Sequence, residues 1–119
     1  MININELRIG NLVDLGKIEQ LDNSIDEVYY SGDGFYQSTY CCNINPIQLT
    51  DKWLLKFNFE FELGGCWQNW TRINLKKVDD CYLVLFDGVV LIGINYVHQF
   101  QNIYFSLVGS ELPLLQADA

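Results

Sequence analysis

The sequence predicts an α+β fold: antiparallel strands in an N-terminal meander, then a C-terminal antiparallel sheet covered by a short helix and a long C-terminal helix. Three observations carry that expectation. Counting about 100° per residue from Tyr96, the side chains of Tyr96, Val97, Phe100, Ile103, Tyr104, Leu107 and Val108 fall in an arc roughly 140° wide. That is a helix buried along one stripe, with Asn95 placed to cap its start and Gly109 to close it in the left-handed C′ conformation. Second, Cys81–Phe86 and Val89–Ile94 flank Asp87-Gly88, the dipeptide that a type I′ hairpin turn favours. Third, the opening forty-odd residues alternate short β-prone runs with polar punctuation.

Taken in order, Leu12–Leu15 is a short strand and Gly16-Lys17 a tight turn into Ile18–Leu21. Asp22–Ser24 breaks the chain before a strand over Ile25–Tyr30 with Val28 and Tyr30 on one face. Ser31-Gly-Asp-Gly34 reads as a turn, its glycines supplying positive φ and Asp33 bonding its own backbone. Phe35–Cys42 returns as the fourth strand. An Arg-x-Gly-Asn-x-Val entry (Arg8–Val13) into small strands resembles SH3-like barrels at the level of fold only.

Thr50 is placed to cap a short helix, with Leu49 and Leu54 as a hydrophobic staple, Asp51 in its first turn and Lys56 in its last. Phe59–Leu63 alternates, so its aromatics are expected inward and Glu60 and Glu62 outward. Gly64-Gly65 turns the chain into a strand from Cys66 to Leu75, with Trp67, Ile73 and Leu75 on one side and Trp70 on the other. Lys76–Asp80 is expected as a loop. The hairpin around Asp87-Gly88 is apolar on both faces, which predicts a central position under the final helix.

At 119 residues, half of them apolar, the chain is expected to form one domain over 1–119, with the meander in 1–45 and the helices and second sheet in 46–119. Net charge is −8, with two bases against seven acids through Thr50 and five against eight beyond it. Both parts are acidic, which argues against binding duplex nucleic acid. Mimicry of nucleic acid asks for a far larger acidic excess. Cys41, Cys42, Cys66 and Cys81 form no Cys-x-x-Cys pair and read as four thiols used as small apolar residues. No apolar run reaches the ~20 residues that cross a bilayer, and Met1–Arg8 has no signal-peptide pattern. A cytoplasmic location follows as the expectation.

Asn5-Glu-Leu-Arg-Ile-Gly-Asn11, Pro46-Ile-x-Leu-Thr50-x-x-Trp53-Leu-x-Lys56-Phe-x-Phe59 and Tyr96-Val-His-Gln-Phe100-Gln-Asn-Ile-Tyr-Phe-Ser-Leu-Val-Gly109-Ser-Glu-Leu112 occur together. The combination resembles a family of small phage and prophage proteins of gut Bacteroidota, in which a leucine usually stands where this chain has Phe100. The resemblance implies a phage or mobile-element setting in a host cytoplasm and brings no activity with it.

No Gly-rich phosphate loop, Gly-x-Ser-x-Gly elbow or His-Glu-x-x-His occurs, and neither cofactor nor metal is expected. Asp79-Asp80 reads as a solvated turn, and Glu60 and Glu62 as an outward face. On the final helix His98, Asn102 and Phe105 fall outside the apolar arc, beside Gln99 and Gln101, and form a candidate partner-contact strip. The first expectation is therefore a non-enzymatic protein acting through protein–protein binding, with a homodimer as one form. The alternative is a protein that sequesters a small nucleotide, using Trp67 and Trp70 to stack a base and Arg72, Lys76 and Lys77 to hold phosphate.

Overall fold

The computed structural model describes residues 2–32, 34–62, 64–69 and 71–114. Two compact units lie where the sequence predicts one domain in two parts: residues 1–48 with 96–102, and residues 49–95 with 103–119. The α+β expectation holds, with one antiparallel sheet in each unit.

In the first unit, β1 (Leu12–Val13), β2 (Gly16–Asp22), β3 (Glu27–Gly32) and β4 (Phe35–Tyr40) form the expected meander in spatial order β1-β2-β3-β4. Pairing of Ile18 with Tyr30 and of Val28 with Thr39 sets one face of the sheet inward. Ile18 and Val28 are fully buried there, and Ile2, Ile4, Leu7, Val13, Cys41 and Ile44 complete the core. A 3-10 turn over Ile4–Glu6 precedes the sheet, and Asn3 and Glu6 close it as a capping box. The opposite face carries Tyr29, Tyr36 and Tyr40.

Gly32 differs from its expected role. It lies inside β3, without positive φ, and a Cβ there would stand 2.3 Å from the Leu15 carbonyl oxygen. Opposite it, a Cβ on Gly16 would stand 2.2 Å from the Ser31 oxygen, and Gly16 also has φ +144°. The β1–β2 turn is pressed against β3 so closely that both positions exclude a side chain. Gly34, with φ +82°, is the glycine whose backbone needs the left-handed region; the Asp33 turn bond lies outside the described residues.

The second unit begins with α1 (Asp51–Lys56), followed by β5 (Glu60–Phe61), β6 (Cys66–Gln68), β7 (Ile73–Val78), β8 (Cys81–Phe86) and β9 (Val89–Ile94) in that spatial order. Leu49 and Leu54 are buried as the staple requires, although the Thr50 side chain makes no capping bond. The buried Tyr82 hydroxyl donates to the Asp51 carboxylate instead, which ties the start of α1 to β8. Burial and then that bond raise the Tyr82 phenol above its ordinary range.

Four expectations are corrected here. The strand expected over Cys66–Leu75 is two strands, because Asn69 Oδ1 accepts from the backbone and hydroxyl of Thr71 and turns the chain. Lys76 and Lys77 belong to β7, leaving Asp79-Asp80 as the turn. Phe61 is 60% exposed, because β5 is a two-residue edge strand whose aromatic ring covers Trp67 from outside, edge to face at 5.3 Å. The Asp87-Gly88 turn has the two positive φ values of type I′. Its hairpin, however, is not central: β9 ends the sheet, with Val89, Val90, Leu91 and Ile92 44–61% exposed.

The C-terminal helix α2 (Val97–Val108) starts two residues after Asn95. The Asn95 carbonyl accepts from Leu49 N and the Ile47 carbonyl from Val97 N, a bridge of Tyr96 to Gln48 that keeps Asn95 and Tyr96 out of the helix. Tyr96 therefore takes the cap position, its N–H donating to Gln99 Oε1 at 3.1 Å. Gly109 closes the helix as expected, with φ +84° and its N–H bonded to the Phe105 carbonyl.

Candidate functional site

The expected contact strip on α2 lies open only in part. His98 is 1% exposed, Asn102 is half-buried and Phe105 is 39% exposed. The buried residues Val97, His98, Phe100, Gln101 and Tyr104 place the covered face some 70° from the apolar arc. Burial of polar side chains demands partners, and the opening residues of the chain supply them.

Asn11, fully buried, donates through Nδ2 to Asn102 Oδ1 at 2.8 Å and accepts Arg8 N at 2.7 Å. Gln101 Oε1 accepts Leu12 N at 2.7 Å, while its Nε2 donates to the Gly10 carbonyl at 3.2 Å. Asn102 Nδ2 donates to the Glu6 carbonyl at 2.8 Å, and Arg8 Nε donates to Asn102 Oδ1 at 3.1 Å. Glu6, Arg8, Asn11 and Gln101 thus act with Asn102 as a lock between the N-terminal segment and α2.

His98 stacks on Tyr96 at 6.0 Å and directs Nε2 toward the Glu6 carboxylate at 3.5 Å, a carboxylate that its own helix lacks. Its Nδ1 is buried without a partner among the described residues. Burial, the larger effect, lowers the imidazole below its ordinary value against the opposing pull of Glu6, so it is neutral near pH 7. A lowered folded-state value means the unfolded chain takes up the proton first. The stability that neutral His98 contributes is whole above about pH 6.5 and drains away as pH falls below it, by at most about 1.4 kcal/mol per unit. Urea midpoints between pH 7.5 and 5.5 should fall for the native chain and flatten for His98→Gln.

The described members of the nucleotide-binding set are divided between the faces of the second sheet and its turns. Trp67 is buried beneath Phe61, and Trp70 lies outside the described residues. Arg72 pairs with Asp87 at 3.3 Å. Lys77 stands over the Tyr82 ring on the face that carries Leu75, whereas Lys76 is on the opposite face with Leu83. Alternation along β7 parts the two lysines by construction. Among the described residues no group of three metal-ligating side chains occurs, and Asp79 takes the left-handed conformation of a turn.

What lies open is different. In the second unit it is β9, four consecutive uncharged aliphatic side chains on a strand with one edge unpaired among the described residues. In the first it is the outer face of β3 and β4, where Tyr36 (60% exposed) stacks on Tyr29 at 5.9 Å and Tyr40 stands at the end of the row. Composition hinted at both through the aromatic content and the apolar hairpin, but which strands are edges is settled only by pairing. No helix among the described residues is long and apolar enough to cross a membrane. No family model, curated protein or solved structure matches the chain.

Proposed function

We propose that this chain is a non-enzymatic accessory protein of a phage or mobile element, acting in the cytoplasm of a Bacteroidota host by protein–protein binding, with a second copy of itself as a partner. The observation that carries the reading is the exposed run Val89–Ile92 on the edge strand β9. A free apolar edge invites association unless something covers it. Self-association suits this strand because it bears no charge, so two copies meet there without like-charge opposition even though each carries −8. The register shift that leaves Leu91 unpaired twists the strand and discourages a continued hydrogen-bond ladder. Side-chain packing then carries the contact.

Light scattering on a sizing column over a dilution series tests this. The mass should approach twice 13.8 kDa at high concentration and fall toward it on dilution. Val90→Lys, at an exposed site, should hold the protein monomeric with an unchanged melting temperature. A native chain that stays monomeric throughout contradicts the dimer. The setting rests on the resemblance in residues 5–11, 46–59 and 96–112.

A further inference from the structure

We propose that the first unit binds a short cationic peptide segment, seating one lysine side chain in a cavity beside the 3-10 turn and laying the flanking residues along the tyrosines of β4. The proposal deepens the protein-binding reading and rests on it only in taking the ligand to be a polypeptide; it needs no dimer.

The cavity measures about 410 Å³, within the range of small-ligand sites and roomy enough for one long side chain. Ile2 and Ile4, both buried, form its floor, and exposed Ile25 and Tyr40 stand at its rim. Asp26 is the one charged side chain among the lining residues. Its position is fixed by the backbone: Asp26 has φ +55° and its carbonyl accepts Cys41 N at 2.7 Å. The Cys41 thiol donates to the Ile2 carbonyl at 3.2 Å, and burial pushes it up, so it adds no charge. Mostly apolar walls, with the Asn3 amide and one carboxylate among them, suit the methylene stem and ammonium of lysine.

From Tyr40 the surface continues along β4 to Tyr36, stacked on Tyr29. Around that row Glu27 accepts the Tyr29 hydroxyl at 2.9 Å and Glu19 accepts the Ser31 hydroxyl at 2.6 Å. Those bonds come from neutral donors and leave the carboxylate charge uncompensated. A row of phenol rings among carboxylates attracts cations both through the ring faces and by charge.

Fluorescence anisotropy on the full chain, with a labelled lysine–alanine repeat peptide and its glutamate–alanine counterpart, tests the site. The lysine peptide should bind and the glutamate peptide should not, with affinity falling as salt is raised. Asp26→Asn, which keeps a residue tolerant of positive φ, should weaken binding about tenfold. Tyr36→Ala should weaken it about two- to fivefold. Ile25→Lys, at an exposed position, sets an ammonium of the protein's own at the rim and should abolish it. Equal affinity for both peptides, or no change in Asp26→Asn and Ile25→Lys, overturns the proposal. So does n-butylammonium binding as tightly as the peptide, since the tyrosine row would then contribute nothing. Peptide binding lost while the dimer mass persists sinks this inference alone, and Val90→Lys should bind peptide normally.

Discussion

Phe100→Ala is expected to cost about 3–5 kcal/mol, the usual toll of emptying a large core site. The ring is fully buried. It shares its turn of α2 with Gln101 and Asn102, whose side chains leave the helix in other directions to reach the chain's opening. Thermal and urea unfolding followed by circular dichroism give the value. Phe100→Leu, which keeps a large apolar side chain there, should recover most of the loss. A near-neutral alanine variant would show that this part of α2 is not a core element.

Gly16→Ala should be nearly as damaging, at about 2–4 kcal/mol from backbone strain and overpacking together. Here the added methyl meets the Ser31 backbone oxygen at 2.2 Å, an atom that cannot swing aside as a side-chain terminus does. The same change at Gly34, where nothing lies within 4 Å of the added Cβ, meets only the penalty of its positive φ. The contrast between these variants in urea midpoint separates close approach from backbone conformation. Equal losses at the two sites would refute the packing described for the β1–β2 turn.

The parts of the fold that a linear reading reached are those set by local rules. The meander over Leu12–Tyr40 follows from β-prone runs and turn residues, and the Asp87-Gly88 hairpin from the φ values its turn needs. What escaped depends on distant pairing. Apolar residues on both faces of Val89–Ile94 suggest a central strand, yet nothing in that run records that β8 has a neighbour on its far side and β9 has none among the described residues. Phe61 alternates as an inward residue should, but on a two-residue edge strand its ring can only cover Trp67 from outside. The amides and imidazole of α2 looked solvent-facing because their partners stand some 90 residues away in sequence.

The candidate surfaces were legible to the same degree. His98, Asn102 and Phe105 stand apart only by their angle on a helix, which reports which side of the apolar stripe a residue falls on. Two of them turned out to be held within the first unit. The exposed β9 run and the Tyr29–Tyr36–Tyr40 row were present in the sequence as composition, without an address.

Hydrogen–deuterium exchange measured on dilute and concentrated protein tests the binding account most directly. If β9 is the contact, amides of residues 89–94 gain protection as concentration rises, those of the first unit do not, and Val90→Lys removes the gain. Exchange at residues 89–94 that stays the same at every concentration would contradict it.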